Sequence, residues 1–371
     1  MEKRILLMYI SLNSGHHRAS QGIEKAIRQL SPDAELRNVN ALHYTHPFLE
    51  PLIRQGYFSL LRHYPKAWDA LYDHPAVFRR TAGLVRLLYR LDSRKFKTLL
   101  EEFQPGVVVC TQAFPCGMVS DYKKSFGLAL PLVGVLTDYQ AHAYWVHSEV
   151  DYYVVATQEA EERLREKGVS DKKILSYGIP VDPAFSSLKN REEILRKHSL
   201  SPEVPTLLIM GGSYGFGPIA EFVEAFDRSG IKAQLLVVCG KNERLFNRLS
   251  RKAILFKKRV RVLGFVDCID ELMEAATCLI TKPGGITTAE AVVKGLPMVL
   301  LNPIGGQETT NTEFLLKKGF ARKAKDVREA LELVRGLLEE PSRLEGIRQA
   351  ARRHPQSTSA FELAQRLLSL C

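Results

Sequence analysis

Short apolar runs alternate along this chain with longer stretches in which apolar and polar positions mix. The apolar runs have the length of strands, and the mixed stretches are typical of helices. In the first half, strands are expected near residues 5–10, 34–39, 107–110, 132–136 and 152–156. In the second half, they are expected near residues 206–210, 235–239, 260–263, 279–281 and 298–302. This alternation predicts an α/β protein built from two doubly wound, Rossmann-like domains.

A passage rich in proline and charge, residues 179–205, separates the two series of strands. We therefore predict an N-terminal domain over residues 1–180 and a C-terminal domain over residues 181–371. With 371 residues, 45% of them hydrophobic, the chain is long enough to bury a core in each domain.

The most informative chemistry lies in residues 281–311, which read TKPGGITTAEAVVKGLPMVLLNPIGGQETTN. The pattern predicts a strand, a sharp turn at Gly284 and Gly285, and a helix from residue 286 whose free N–H groups face a diphosphate. Thr287 lies in the first turn of that helix. Glu290 follows about one and a half turns in, where a carboxylate can accept hydrogen bonds from both hydroxyls of a ribose. An ordinary βαβ unit with a glycine-rich turn is the alternative.

After the next strand, a polar loop at residues 305–308 offers the amide of Gln307 and the carboxylate of Glu308, which suit the hydroxyls of a hexose. The whole stretch resembles the C-terminal donor domain of GT-B glycosyltransferases of the MurG and monogalactosyldiacylglycerol synthase group, glycosyltransferase family 28. The resemblance implies that Glu290 holds the ribose of UDP and that Gln307 and Glu308 hold the sugar. It also implies two domains facing across a cleft, with the last helical stretch, residues 359–370, packing back on the N-terminal domain.

A second glycine-rich stretch, residues 210–217, follows a strand and precedes a helix. Gly211 and Gly212 let the backbone approach a ligand closely, and the Ser213 hydroxyl can donate to a phosphate. The spacing does not match GxGxxG, so dinucleotide binding is disfavoured. By the family resemblance, Phe265 and Val266 lie where the nucleobase binds.

The first strand leads into the segment NSGHHRAS at residues 13–20, and a helix is expected over residues 21–30. The segment resembles the family's GxGHxRAA segment with Asn13 in place of the first glycine. In the family this histidine is the proposed general base, and the match places that role on His16. An imidazole suits the role because its unperturbed pKa lies near neutrality. The neighbouring His17 blurs the alignment, and we expect His17 and Arg18 to contact the acceptor. A loop histidine that only caps the helix or binds phosphate is the alternative.

Residues 137–157, TDYQAHAYWVHSEVDYYVVAT, follow a strand, where an α/β sheet places ligand residues. They resemble the TD-x-x-x-H-x-x-W-V-H passage of bacterial diacylglycerol glycosyltransferases, which implies a lipid acceptor. Asp138 would orient the base or bind the acceptor, and His142 and Trp145 would contact the lipid or its headgroup. A structural role is an open alternative for each of them. The histidines are not spaced as a zinc site, so no metal is expected.

Charge is concentrated near the N-terminus. The chain carries a net charge of +11, and its first 100 residues hold 16 Lys and Arg against 8 Asp and Glu. Residues 79–97 form a basic amphipathic pattern that fits either an anionic membrane surface or an ordinary solvated helix face. Residues 47–73, rich in aromatics and leucine, resemble the lipid branch and fit either acyl-chain binding or two buried helices. Nucleic acid is disfavoured, since no helix-turn-helix, RNP or zinc signature accompanies the charge.

No apolar run approaches the roughly 20 residues that cross a bilayer, and the N-terminus reads as a first strand and not as a signal peptide. A cytoplasmic protein, peripheral on the inner face of the cell membrane, is therefore expected. The six cysteines show no close CxxC pair, which favours reduced thiols.

The resemblance covers nearly the whole chain, with the motifs in the same order. It implies an inverting, metal-independent hexosyltransferase that uses a UDP-hexose and a diacylglycerol-type lipid, with no cofactor. Three alternatives stay open: a transferase acting on a polyprenyl-diphosphate acceptor, a UDP-sugar epimerase, and a non-catalytic membrane sensor that binds UDP-sugar.

Overall fold

The structure is a computed structural model that describes residues 3–45, 47, 95–301, 306–354 and 358–371. The described residues form two compact units. The first contains the residues up to Pro183 together with 306–310 and 358–371, and the second contains 184–301 and 311–354. The end of the first continuous stretch lies beside the boundary expected from the sequence. Residues 306–310, which we expected in the C-terminal domain, group with the first unit.

The first unit is built on a parallel six-stranded sheet with the order β2-β1-β3-β4-β5-β6. Its strands are β1 (Arg4–Tyr9), β2 (Glu35–Asn40), β3 (Val107–Cys110), β4 (Leu132–Val135), β5 (Tyr152–Val154) and β6 (Ile174–Leu175). Its helices are α1 (Gly15–Leu30), α2 (Ala41–Thr45), α3 (Ala113–Phe126) and α4 (Gln158–Glu166), and a 3₁₀ turn spans Ala143–Trp145. Residues 95–103 are also helical.

The second unit has a parallel six-stranded sheet with the order β12-β11-β10-β7-β8-β9. Its strands are β7 (Thr206–Met210), β8 (Gln234–Val238), β9 (Val260–Leu263), β10 (Cys278–Thr281), β11 (Met298–Leu301) and β12 (Ala321–Ala324). The helices that follow Pro183 in the chain are α5 (Arg191–Lys197), α6 (Ile219–Arg228), α7 (Glu243–Ala253), α8 (Ile269–Ala275), α9 (Gly285–Val293), α10 (Gln307–Lys317), α11 (Val327–Glu339), α12 (Pro341–Arg352) and α13 (Ser359–Leu370). The last of these, α13, belongs to the first unit. Two wound parallel sheets confirm the predicted fold class.

Both faces of the first sheet are covered, which explains its nearly continuous apolar strands. Leu6 and Met8 of β1 pack into one hydrophobic cluster, whereas Ile5 and Leu7 pack into another on the opposite face. The second cluster also contains residues of α1 and of α13. Ser359 at the start of α13 donates a hydrogen bond from its hydroxyl to the Ile179 carbonyl at 2.8 Å. The closing helix is therefore part of the core of the first unit.

Each predicted strand agrees with an observed strand to within two residues. Two observed strands, β6 and β12, were not predicted, and α1 begins earlier than expected. β6 has two residues and β12 has two exposed residues at its centre, so neither forms an apolar run. α1 begins at Gly15, well before the helix expected from residue 21, because the Ser14 hydroxyl caps it by accepting from the His17 N–H at 3.2 Å. The motif histidines therefore lie in the first turn of a helix.

All six cysteines are free, and four of them are buried. Among the described residues, no helix combines the length and the apolar character needed to cross a membrane.

Candidate active site

Both units place their motif residues where the winding of a parallel sheet reverses direction. In the first sheet that point lies between β1 and β3, and in the second it lies between β7 and β10. Ligands of open α/β sheets bind beyond the carboxyl ends of the strands at such points. His16 follows β1, while the two glycine-rich turns follow β7 and β10. The topology therefore gives one candidate site in each unit.

The turn before His16 uses a left-handed backbone. Asn13 has φ of 60°, a conformation that Asn tolerates better than most residues. This explains how Asn13 stands where the family motif has glycine. Ser14 then caps α1, and the helix begins at Gly15. Asn13 can therefore occupy the motif's glycine position in this left-handed turn.

The His16 ring is held through its Nδ1 atom. This nitrogen lies 2.9 Å from the Thr111 carbonyl oxygen and 2.9 Å from the Thr137 hydroxyl. The Thr111 hydroxyl in turn donates to the His16 carbonyl at 2.9 Å. Because a carbonyl oxygen only accepts, the contact with Thr111 assigns the hydrogen of the neutral ring to Nδ1, and the Thr137 hydroxyl then serves as an acceptor to this nitrogen. The lone pair of that ring is then on Nε2, which is the atom able to receive a proton.

The surroundings of His16 favour this neutral form. Burial lowers the pKa of His16 below its usual value of 6.5, because the imidazolium is poorly solvated there. The Asp138 carboxylate and the hydrogen bond to Thr111 raise the pKa, but they offset the burial effect only in part. His16 is therefore an unprotonated base at neutral pH. Asp138 lies close enough to stabilise the charge that the ring gains when it takes a proton.

His17 is held in the opposite way. Its Nδ1 accepts a hydrogen bond from the Asn13 N–H at 3.1 Å, and its ring stacks on Tyr9 with a centroid distance of 4.3 Å. An accepting Nδ1 leaves the hydrogen of the neutral ring on Nε2. The neutral His17 ring therefore presents a donor where His16 presents an acceptor. The hydrogen bonds of the two rings therefore favour His16 over His17 as the general base.

The other expected acceptor residues lie at different depths. Trp145 is only 3% exposed and packs in a hydrophobic cluster of the first unit. This favours the structural alternative for Trp145 over lipid contact. His142 and Arg18 are half-buried, and the His142 ring lies 6.1 Å from the Trp145 ring. Acceptor contact by His142, His17 and Arg18 stays a prediction.

In the second unit, the turn after β7 is tightly closed. The Phe216 N–H donates to the Gly211 carbonyl at 2.9 Å, and Gly212 has φ of 68°. A Cβ on Gly211 would overlap the Phe216 carbonyl oxygen. The Ser213 carbonyl accepts from the Lys241 N–H at 2.8 Å, which ties the turn to the end of β8. Gly211 is therefore a steric requirement of this turn, and Gly212 adopts the left-handed backbone that glycine favours. Close approach of a ligand to these glycines stays a prediction.

The turn after β10 leads directly into α9. Gly284 is its N-cap and has no side chain, so no side chain of the cap residue accepts from the first N–H groups of the helix. Glu290 is buried within α9, and Thr287 is half-buried. The Asn311 amide, itself buried, donates to the Pro283 carbonyl at 3.1 Å and holds this turn. Asn311 was not predicted as a site residue, since a single Asn in a helical stretch carries no signal.

Lys282 was not predicted as a site residue either, although it lies within residues 281–311. Its Cε is 3.4 Å from the position of a Cβ on Gly212, and its Nζ is 3.9 Å from the position of a Cβ on Gly284. The side chain therefore reaches both glycine turns, where an ammonium group complements an anion. A lysine beside a diglycine turn was the available sequence signal.

The residues expected to contact the sugar and the nucleobase lie at the start of α10 and after β9, respectively. Gln307 and Glu308 are the first residues of α10, so the predicted loop is wrong at these two positions. The residues of that loop before Gly306 lie outside the described part of the chain. Phe265 follows β9, with the Lys241 ammonium 5.6 Å from its ring centroid. A nucleobase contact by Phe265 and Val266, both half-buried, stays a prediction.

The hypotheses of acyl-chain binding and of a basic amphipathic helix concern segments that lie largely outside the described residues. Residues 47–73 lie outside the described residues except for Pro47, and residues 79–97 lie outside them up to residue 94. Within the described part of the chain, no three His, Cys, Asp or Glu side chains converge as a metal site. Metal independence stays a prediction.

Solved structures of other proteins share the fold of this chain. Solved structures with the same fold include MurG of Acinetobacter baumannii, with a TM-score of 0.62 at 14% identity over 99% of both chains. They also include Anabaena Alr3699/HepE in complex with UDP-glucose, with a TM-score of 0.58 at 12% identity over 99% of both chains. UDP-GlcNAc 2-epimerase from Neisseria meningitidis matches with a TM-score of 0.64 at 12% identity, covering 99% of this chain and 100% of the epimerase. The fold is therefore GT-B, an architecture that transferases and epimerases share.

Sequence similarity distinguishes between a transferase and an epimerase. The family model for monogalactosyldiacylglycerol synthase matches residues 16–181, and the model for glycosyl transferases group 1 matches residues 190–354. The processive diacylglycerol beta-glucosyltransferase of Bacillus licheniformis is 30% identical, covering 92% of this chain and 88% of the relative. The Bacillus subtilis protein of that name is 31% identical, covering 91% and 87%. The chain belongs to this family of diacylglycerol glycosyltransferases, which confirms the resemblance found in its motifs.

Proposed function

We propose that the protein transfers a hexose from a UDP-sugar to diacylglycerol or a related membrane lipid and gives a β-glycolipid. The observation that carries this proposal is the His16 ring, whose Nδ1 is engaged by the Thr111 carbonyl so that Nε2 is left as the base. Family membership supports the substrate classes, because the relatives are named for glucosyl transfer to diacylglycerol.

In the proposed reaction, His16 Nε2 takes the proton of the lipid hydroxyl as its oxygen attacks the anomeric carbon of the sugar. A bond forms between that oxygen and the anomeric carbon, and the bond from the anomeric carbon to the UDP oxygen breaks. Attack from the face opposite UDP inverts the configuration. Asp138 stabilises the imidazolium that results, consistent with its effect on the pKa of His16.

The leaving UDP carries the negative charge that the reaction develops. N–H groups at Gly211, Gly212 and the start of α9, together with Lys282, are the groups proposed to stabilise it. These groups do the electrostatic work that a divalent cation does in metal-dependent transferases. Glu290 is proposed to hold the ribose, and Gln307 and Glu308 the sugar.

Liposomes containing diacylglycerol, incubated with the protein and a panel of labelled UDP-hexoses, test the proposal. We expect label from one donor in the lipid extract, and the donor that works identifies the sugar. His16→Ala should lower turnover about a hundredfold or more, because general-base catalysis contributes that much, while UDP binding is retained. His43→Ala, which removes an exposed histidine of α2, is the matched control.

Other outcomes would point to the alternatives. Interconversion of UDP-sugars without labelled lipid would indicate an epimerase. Label only in a polyprenyl-diphosphate acceptor would indicate the peptidoglycan type of reaction. UDP-sugar binding that His16→Ala leaves unchanged, with no product from any donor or acceptor, would indicate a sensor.

A further inference from the structure

The second unit exposes two adjacent apolar side chains at the end of α7. Ile254 and Leu255 are 86% and 76% exposed, and they directly follow the last helical residue, Ala253. Isolated exposed leucines are ordinary on protein surfaces. Two adjacent aliphatic side chains that are both highly exposed contribute little to the core, so packing does not explain their presence. We refer to residues 251–259, which surround this pair, as the basic tip.

The basic tip is held in place from the protein side. Phe256, the next residue, packs against the core of the second unit. The Lys258 N–H donates to the Asp227 carboxylate at 3.0 Å, and the Lys258 ammonium contacts the Ile231 carbonyl and lies 5.1 Å from the Phe226 ring centroid. Ile254 and Leu255 are therefore exposed on an anchored turn and not on a loose end.

The sequence around the tip is strongly basic. Residues 241–261 contain nine Lys and Arg but a single acid, Glu243. Contacts in the structure account for four of these bases. Arg248 and Lys252 pair with Glu224 at 2.8 Å, Lys258 is anchored as described, and Lys241 lies 5.6 Å from the Phe265 ring centroid.

Three further bases flank the apolar pair. Arg251, Lys257 and Arg259 are exposed, and within the described part of the chain none of them forms an ion pair. Arg251 in the last turn of α7 also complements the helix dipole, but Lys257 and Arg259 lie beyond the helix and have no such role. Their charge exceeds what the fold requires.

We propose that the basic tip docks on an anionic lipid bilayer. Ile254 and Leu255 would enter the boundary between headgroups and acyl chains, while Arg251, Lys257 and Arg259 would lie near lipid phosphates. Nucleic acid fits less well, because single-stranded binding relies on exposed aromatic platforms and the exposed pair is aliphatic. The inference goes beyond the proposed function: it assigns a membrane contact to the second unit and does not depend on sugar transfer.

Vesicle binding without any UDP-sugar tests the proposal independently of catalysis. Partitioning is measured by co-sedimentation with phosphatidylcholine vesicles, with and without about a third of phosphatidylglycerol. We expect each of two double variants to weaken partitioning to the anionic vesicles on the order of tenfold. Ile254→Ser/Leu255→Ser removes the apolar side chains that enter the bilayer boundary. Lys257→Gln/Arg259→Gln removes two charges that attract the protein to anionic lipid. The controls are Leu188→Ser, at another exposed leucine, and Arg328→Gln/Arg335→Gln, which removes the same charge from α11.

A second measurement locates the contact. Tryptophan emission from Leu255→Trp should shift to the blue on adding anionic vesicles, relative to the unsubstituted protein, whereas Leu188→Trp should show no such shift. Unchanged thermal unfolding midpoints establish that the variants are folded. The proposal is overturned if the tip variants partition within about twofold of the controls, or if Leu255→Trp shows no shift. A tip variant that loses oligonucleotide binding but keeps vesicle binding also overturns it, in favour of a nucleic-acid surface.

Discussion

At the scale of single residues, two adjacent histidines show how the fold separates similar side chains. Nδ1 of His16 faces a backbone carbonyl, whereas Nδ1 of His17 faces a backbone N–H. The two neutral rings therefore carry their hydrogen on different nitrogens. Both histidines lie side by side in one sequence motif, but the motif does not show which ring nitrogen of each carries the hydrogen. Only the positions of Thr111 and Asn13 distinguish the two.

The pH dependence of turnover follows from the pKa of His16. Because burial holds this pKa below 6.5, the base stays unprotonated until the pH falls below that value, and the acidic limb of kcat/KM should lie there. Asp138→Asn removes a negative charge that favours the imidazolium, so it should lower the pKa further. The acidic limb of the pH–rate profile should therefore move to lower pH, while turnover falls by less than in His16→Ala.

The control for Asp138→Asn is Asp33→Asn, which removes an exposed carboxylate from a turn of the same unit. Its pH–rate profile should match that of the unsubstituted protein. An acidic limb that stays in place in Asp138→Asn, or moves to higher pH, would contradict the electrostatic role of Asp138.

Lys282 should matter for the chemical step more than for folding. Lys282→Met removes the ammonium group beside both glycine turns, and we expect kcat to fall roughly ten- to a thousandfold, as for the loss of a charge-stabilising group. Lys282→Arg should restore part of the activity, because it restores the charge. Steady-state kinetics with the active UDP-hexose and a thermal unfolding curve measure the two effects. Equal activity of the Met and Arg variants would contradict a role for the charge.

At the scale of elements, the helices and strands that position the site were largely predictable. Strands such as β3 and β7 match their predicted bounds because every residue in them is buried and all but Thr206 are apolar. The start of α1 was placed too late, since the segment before it is polar and only the Ser14 cap reveals the helix. β12 was missed because an exposed edge strand does not need an apolar run.

The turn after β7 gives a prediction at this scale. Gly211→Ala places a methyl group on the Phe216 carbonyl oxygen, so the turn must shift and its N–H groups lose their alignment. We expect the affinity for UDP to fall about tenfold or more and the stability to fall by about 1–3 kcal/mol. Calorimetric titration with UDP and thermal unfolding measure the two changes.

Gly230→Ala is the matched control, because no atom lies near a Cβ at that position. It should leave UDP affinity unchanged and alter stability by no more than about 0.5 kcal/mol. A Gly211→Ala variant that binds UDP as well as Gly230→Ala would contradict a requirement for glycine in this turn.

At the scale of the whole molecule, the last helix completes the core of a unit that began at the N-terminus. Leu363 and Leu367 of α13 pack in the same cluster as Ile5 and Ile23. Leu363→Ala should therefore destabilise the protein by about 2–5 kcal/mol, as for other buried leucines. Chemical denaturation measured by circular dichroism gives the free energy of unfolding.

The exposed neighbour Gln365 provides the control for this change. Gln365→Ala should alter the free energy of unfolding by no more than about 0.5 kcal/mol, because its side chain is not in the core. A similar small effect of Leu363→Ala would show that α13 contributes little to the stability of the first unit.

The two wound domains, the glycine turns and the family could be predicted from the sequence, because they depend on local periodicity and on residue types at fixed spacing. Three features became visible only in the folded chain: the histidine nitrogen that is left as an acceptor, the reach of Lys282 to both glycine turns, and the burial of Trp145 in the core. The folded chain also revealed the exposed pair Ile254 and Leu255. The reason is physical: burial and hydrogen-bond partners depend on residues distant in sequence, such as Thr111 for His16, and no local pattern contains them.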